Sequence, residues 1–256
     1  MAESPLYKAM QLLRILIESS SPMTLTDLTT ASEMNASTTM RVMRMLAEDG
    51  FVAFDPPSKL YRPGAEFLRL AAISLNDNPL FSRLRPALAA LAHETGETVA
   101  FNLYDVEAGM MMLALTERSP QPLGYDIPLG RRDYLHAGAS GKAILAFLGA
   151  DEIDAVLNRH GLPQVTDGTV IDRATLIKQL EDIRETGYAL SFGERVDGAV
   201  GTAAPVFGEN GRVAGSILVT VPSFRHTEER QQKINQAVIR TAEMLRAGGL
   251  RKEQNV

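Results

Sequence analysis

Cysteine is absent from this chain of 256 residues. That removes disulfides, thiolate nucleophiles and cysteine-bearing zinc sites in one step, and it suits a reducing compartment. Long apolar runs are missing too, so no segment is expected to span a membrane. Met1-Ala2-Glu3-Ser4-Pro5 lacks the basic stretch and apolar core of a secretory leader, so a cytoplasmic protein is expected. Internal repeats and low-complexity segments are also lacking. So is a basic excess: the formal net charge is -5, and up to residue 75 seven Lys and Arg face eight Asp and Glu. What remains is a chain 45% hydrophobic, long enough for two ordinary domains with proper cores.

The densest pattern runs from Thr24 to Asp55. Thr24-Leu25-Thr26-Asp27 sets a hydroxyl three residues ahead of a carboxylate, which predicts a capped helix to about Ser32 with Leu25 and Leu28 on its buried side. Ser32-Glu33-Met34-Asn35 predicts a turn, with Asn35 or Ser37 capping a second helix. In that helix Thr39, Val42, Met43 and Leu46 share an apolar face, Ser37, Thr38, Arg41 and Arg44 lie elsewhere, and Gly50 ends it. Phe51–Phe54 and Lys59–Arg62 read as strands joined through Asp55-Pro56-Pro57-Ser58. Two short helices and a hairpin make the pattern of a winged helix-turn-helix DNA reader, although a bundle end with a solvated face has the same spacing. Four of the seven bases fall between Arg41 and Arg62, so one copy is expected to bind duplex weakly and to need a second.

On either side the chain is helical. Leu6, Met10, Leu13 and Ile17 step by four, three and four, predicting an amphipathic helix over 5–19 that covers the helix pair. Gly64 to Leu75 predicts a connector helix, ended by Asn76-Asp77-Asn78-Pro79, and the domain boundary is placed there. Beyond it the expected elements are a helix over 83–93 with Pro86 in its first turns, strands 98–104 and 110–116 joined by a hairpin, and helices 140–148, 152–160 and 173–186. Strands 188–192, 202–207 and 213–221 and a closing helix over 228–246 complete the list. Hairpins flanked by helices predict a mostly antiparallel α+β sensor fold rather than a doubly wound dinucleotide binder.

Leu135-His136-Ala137-Gly138-Ala139-Ser140-Gly141-Lys142-Ala143 is the most unusual stretch of the second half. Small residues leading into a helix present backbone N–H groups at its positive end, a place for a carboxylate or phosphate; a tight packing turn with Lys142 capping carbonyls fits equally. His136 stands where a phosphate-binding loop opens with glycine and Ala143 where it needs a hydroxyl, which excludes nucleotide hydrolysis there. Ser140 lacks the glycine of a hydrolase elbow. His93, His136, His160 and His226 have no metal-ligand spacing, so no metal and no cofactor is expected. Glu194 and Asp197, flanking Arg195, read as paired carboxylates or as a solvated loop, and Met110-Met111-Met112 as a pocket wall or as core.

From Ser4 to Gly249 the chain resembles the IclR family of bacterial transcription regulators. The resemblance rests on Met34-Asn35-Ala36-Ser37-Thr38-Thr39-Met40-Arg41-Val42-Met43, Gly50-Phe51-Val52 and Tyr61-Arg62-Pro63-Gly64. It continues with Glu94-Thr95-Gly96-Glu97-Thr98-Val99, Leu135-His136-Ala137, Gly141-Lys142-Ala143, Gly187-Tyr188-Ala189 and Ala203-Ala204-Pro205-Val206. It implies an α+β protein: a winged helix-turn-helix domain over 1–63, a linker helix over 64–78 and a GAF-like α/β effector domain over 79–256. It implies a homodimer or homotetramer that binds double-stranded operator DNA and a small carboxylate or aromatic degradation intermediate. Thr26, Asn35, Ser37, Thr38, Thr39, Arg41, Arg44, Lys59 and Arg62 are the expected DNA contacts. Ala139, Ser140, Ser191, Glu194, Gly201, Leu218 and Thr220 are carried over as the effector cup, Met111, His136 and Gly141 are expected to bind the effector with them, and the amides before Lys142 to hold its acid group. Ala36 replaces a common basic residue, and Leu218-Val219-Thr220-Val221-Pro222 lacks the usual serines and glycine, which tilts the expectation toward a larger or aromatic acid. The competing reading is a small-carboxylate enzyme with an oligomerising first domain; a ligand-free scaffold is the third.

Overall fold

The computed structural model describes residues 4–125 and 128–250. They divide into two compact units between Phe81 and Ser82.

The first unit is built on three helices and a small sheet. Its elements are α1 (Pro5–Glu18), β1 (Met23–Thr24), α2 (Leu25–Ser32), α3 (Ala36–Glu48), β2 (Val52–Asp55), β3 (Leu60–Pro63) and α4 (Ala65–Asn76). The capping box predicted from Thr24 and Asp27 is formed: the Asp27 amide donates to Thr24 Oγ1 at 3.2 Å and the Thr24 amide to Asp27 Oδ2 at 2.9 Å. The Thr24 hydroxyl, donating to Asp27 Oδ2 at 2.7 Å, and then the Thr24 amide hold the Asp27 carboxyl below its ordinary range. Glu33 takes a left-handed conformation at the turn, and Asn35 Oδ1 then accepts from the Thr38 amide at 2.8 Å to start α3. Leu12, Leu16, Leu28, Val42 and Met43 make the core. The face of α1 departs from its prediction, because Leu12, Leu13 and Leu16 are buried while Leu6 and Met10 are exposed. Both choices satisfy a helical period; the packing of α2 and α3 selects the second. β1, too short to carry a pattern, pairs with β3, giving an antiparallel order β1-β3-β2. Gly64 is the fixed point beneath the hairpin: a Cβ there would lie 2.1 Å from Gly50 O, so no other residue lets the two backbones approach.

The second unit holds α5 (Pro79–Thr95), β4 (Thr98–Asp105), β5 (Met110–Glu117), β6 (Arg132–Asp133), α6 (Gly138–Leu145), α7 (Ala150–His160), α8 (Arg173–Thr186), β7 (Ala189–Phe192), β8 (Ala199–Phe207), β9 (Val213–Pro222) and α9 (Glu228–Leu250). An antiparallel sheet in the order β6-β5-β4-β9-β8-β7 has α6 on one face and α9 on the other. Gly201 and Ala203 of β8 face α6, whereas Thr202 accepts from Gln231 Nε2 of α9 at 2.7 Å. The helix α5 begins before its predicted start, with Asn78 Oδ1 accepting from the Leu80 amide at 3.0 Å, and Pro86 lies in its interior. At the head of β4, Glu97 is fully buried and grips two cations, Arg225 Nη2 at 2.7 Å and Arg230 Nη2 at 2.7 Å. Arg225 also donates to Leu123 O at 2.7 Å.

Candidate functional site

Each unit holds one candidate site. In the first, α3 turns Val42 and Met43 inward and leaves Ser37, Met40, Arg41 and Arg44 exposed, a stripe at spacings of three, one and three. Arg44 Nε pairs with Glu48 Oε1 at 2.9 Å on the open surface, a bond weak enough to be exchanged for a phosphate. Asn35 is engaged in capping, and Ser37 Oγ donates to its Oδ1 at 2.8 Å. Thr26 is exposed at the start of α2, and Thr38 is half-buried. Thr39 departs from its expected role: it is fully buried and donates to Asn35 O at 3.2 Å, so its hydroxyl is closed to a duplex. Lys59, at φ 57°, and Arg62 are exposed on the hairpin, where Asp55 Oδ2 accepts from the Ser58 hydroxyl and amide. Met40, on the same face, is 55% exposed and was not among the expected contacts.

In the second unit the loop before α6, the loop after β7 and strands β8 and β9 enclose a narrow recess. Its free volume is about 30 Å³, room for about two waters. Seven of the expected cup residues line it together: Ala139, Ser140, Ser191, Glu194, Gly201, Leu218 and Thr220. The other three lie outside its lining. Met111 is buried in the core beneath Arg195, with Sδ 3.9 Å from Nη1. His136 is turned away, its Nε2–H donating to Pro163 O at 2.9 Å, and burial pushes its pKa down. Gly141 is a packing glycine, since a Cβ there would meet Leu135 O at 2.3 Å. Tyr125, Gly138, Arg195, Val196 and Ala199 line the recess without having been expected. A run such as Glu194-Arg195-Val196-Asp197 reads as a solvated loop, and nothing in its sequence announces that Arg195 folds under.

The charges around α6 are arranged in pairs. Glu194 Oε1 accepts from Lys142 Nζ at 2.5 Å, both side chains being buried, and Gln179 takes a second ammonium proton at 3.1 Å. Glu194 Oε2 also accepts from the Gly138 amide at 3.2 Å, and Ser191 Oγ from the Ala139 amide at 3.0 Å. Two of the amides expected to hold a ligand's acid are therefore already engaged by the chain itself. Ser140 Oγ accepts from Asn102 Nδ2 at 2.9 Å. Neither serine touches a histidine, so neither is an activated nucleophile. Burial holds the Arg195 guanidinium below its ordinary pKa, against the attraction of Asp133. Among the described residues no cluster of three metal-ligating side chains occurs, and no helix is long and apolar enough to cross a membrane.

The description "Bacterial transcriptional regulator IclR C-terminal" matches residues 72–247, and "IclR helix-turn-helix domain" matches residues 5–56. The chain belongs to the IclR family. It is 33% identical to the HTH-type transcriptional regulator BhcR of Paracoccus denitrificans over 91% of this chain and 83% of that protein. The HTH-type transcriptional repressor AllR of Escherichia coli is 29% identical, over 88% of this chain and 82% of its own length. A solved IclR regulator from Silicibacter sp. superposes with a TM-score of 0.83 at 30% identity, covering 96% of each chain. An IclR homologue from Microbacterium hydrocarbonoxydans, solved with 4-hydroxybenzoate, shares the fold at a TM-score of 0.81 and 21% identity, over 95% of this chain and 100% of that one. This IclR-family chain is a helix-turn-helix transcriptional regulator with a C-terminal α/β domain, as its sequence motifs implied.

Proposed function

We propose that the recess beside α6 is the effector site of this IclR-family regulator, and that a small carboxylate bound there controls operator binding by α3 and the hairpin. The observation that carries it is the recess itself: a narrow space lined by four hydroxyl-bearing residues, Tyr125, Ser140, Ser191 and Thr220, beside the start of α6, with Leu218 as an apolar wall. The complex of the Microbacterium relative with an aromatic acid supports a carboxylate as the ligand class. Ser37, Met40, Arg41 and Arg44 face base edges, Lys59 and Arg62 the flanking phosphates, and Thr26 and Thr38 the backbone at the helix starts. The working form is a homo-oligomer, dimer or tetramer, acting in the cytoplasm on a catabolic pathway, without turnover of the bound acid. Ligand acts by changing the spacing of two recognition helices on a pseudo-palindrome.

Footprinting on genomic fragments, with and without a panel of small carboxylates, tests this. Protection of one fragment over random duplex, altered by an acid, is the expected result. Ser140→Trp fills the recess and is expected to abolish the acid's effect while leaving protection by the unliganded protein in place. An acid effect that survives Ser140→Trp sets the site elsewhere.

A further inference from the structure

Around the exposed face of α3 most of the polar side chains are already engaged within the chain. Asn35 Oδ1 accepts from the Thr38 amide, and Ser37 Oγ gives its proton to the same oxygen at 2.8 Å. Thr39 is buried with its proton on Asn35 O, and Arg44 is paired with Glu48. Arg41 is exposed and has no partner among the described residues. Beside it the surface turns apolar. Met40 is exposed, and Ala36, also exposed, precedes it by four residues and so lies one turn away on the same side. Neither packs in the core of the unit, which Leu12, Leu16, Leu28, Val42 and Met43 fill. The face therefore offers one uncommitted guanidinium with an apolar strip next to it.

We propose that Met40, flanked by Ala36, determines operator specificity by packing on the C5 methyl of a thymine beside a guanine taken by Arg41. The inference rests on α3 being the helix that faces base edges. In the major groove every base presents hydrogen-bonding groups, and among unmodified bases thymine alone adds an apolar one, its methyl. Arg41 suits the paired acceptors of guanine. Met40 and Arg41 stand about 100° apart round the helix, so their tips reach neighbouring base pairs. A base edge without a methyl, set against the thioether, loses water and gains no hydrogen bond, so the strip selects by exclusion as well as by contact.

The test uses the full-length protein and the duplex it selects from a random pool, followed by fluorescence anisotropy. Each thymine is replaced in turn by deoxyuridine, which lacks only the methyl. At one thymine in each half-site, next to a guanine, the replacement is expected to weaken wild-type binding by about fourfold, the worth of one buried methyl group. Met40→Ala is expected to bind the thymine and deoxyuridine duplexes alike, and Met40→Leu to tell them apart again. Thermal melting of both variants reports whether they fold. 5-Methylcytosine carries the same methyl, and at that place it is expected to bind better than cytosine; binding tighter than thymine overturns thymine as the base read. If Arg41→Ala weakens binding while deoxyuridine at every thymine leaves the wild type unchanged, or weakens Met40→Ala equally, the role of Met40 is overturned and α3 remains the reading helix. If the pool yields no preferred duplex, or Arg41→Ala and Met40→Ala both bind it as the wild type does, the reading of α3 itself fails and the assignment of Met40 with it.

Discussion

Arg41 and Arg44 both stand on the exposed face of α3: Arg44 pairs with Glu48, and Arg41 has no partner among the described residues. If Arg41 reads a base, Arg41→Ala costs about 1–3 kcal/mol of operator affinity and relaxes selection at one base pair, which anisotropy against a set of mutated sites would resolve. His136 gives a pH prediction. Its pKa is held below the ordinary 6.5 chiefly by burial. Above 6.5 both folded and unfolded chains carry it neutral; as pH falls below 6.5 the unfolded chain takes up the proton first, so stability is lost on acidification. Urea unfolding is expected to show stability lost as pH falls below about 6.5, and the loss to shrink in His136→Gln. At this scale the sequence was half legible. Ser140, Ser191 and Thr220 could be carried to the recess by position, whereas the spacing set Thr39 on the apolar face while the family motif set it at the duplex, and its burial decides for the spacing. Arg195 stands in a run that reads as a solvated loop, yet its side chain is only 11% exposed, because a residue's environment is set by neighbours distant in the chain.

Elements were read more securely than residues. Caps and turns are local, and Thr24 with Asp27, Asn35, and the Asp55-to-Ser58 hairpin turn all do what their side chains dictate. Thr24→Ala removes the reciprocal bonds at the start of α2 and is expected to cost about 1 kcal/mol, measurable as a lower urea midpoint of the first unit. Failures occurred where a signal served two elements. Asn76-Asp77-Asn78-Pro79 was read only as the stop of α4, yet Asp77 caps α4 while Asn78 caps α5, so the true start of α5 was hidden. The two-residue strands β1 and β6 are below the length at which alternation can be seen.

For the molecule as a whole, α4 poses the plainest question. It has no buried residue, and Leu68, Leu70, Ile73 and Leu75 are exposed on it. So much apolar surface suits the oligomer proposed above. The double substitution Leu68→Glu, Ile73→Glu is expected to lower the sedimentation coefficient and to weaken operator binding at equal chain concentration. An unchanged coefficient would remove α4 from the subunit contact. The overall α+β plan, with a DNA-reading unit and a sheet-based unit, was legible because each rests on many independent signals that agree.

Glu97 carries a consequence for synthesis. It is among the early residues of the second unit to leave the ribosome, and its two counter-ions, Arg225 and Arg230, lie 128 and 133 positions later. Until they emerge, this carboxylate cannot be buried without stranding a charge. The head of β4 therefore stays solvated through most of translation, and the unit closes late, as a single event, once α9 has been made.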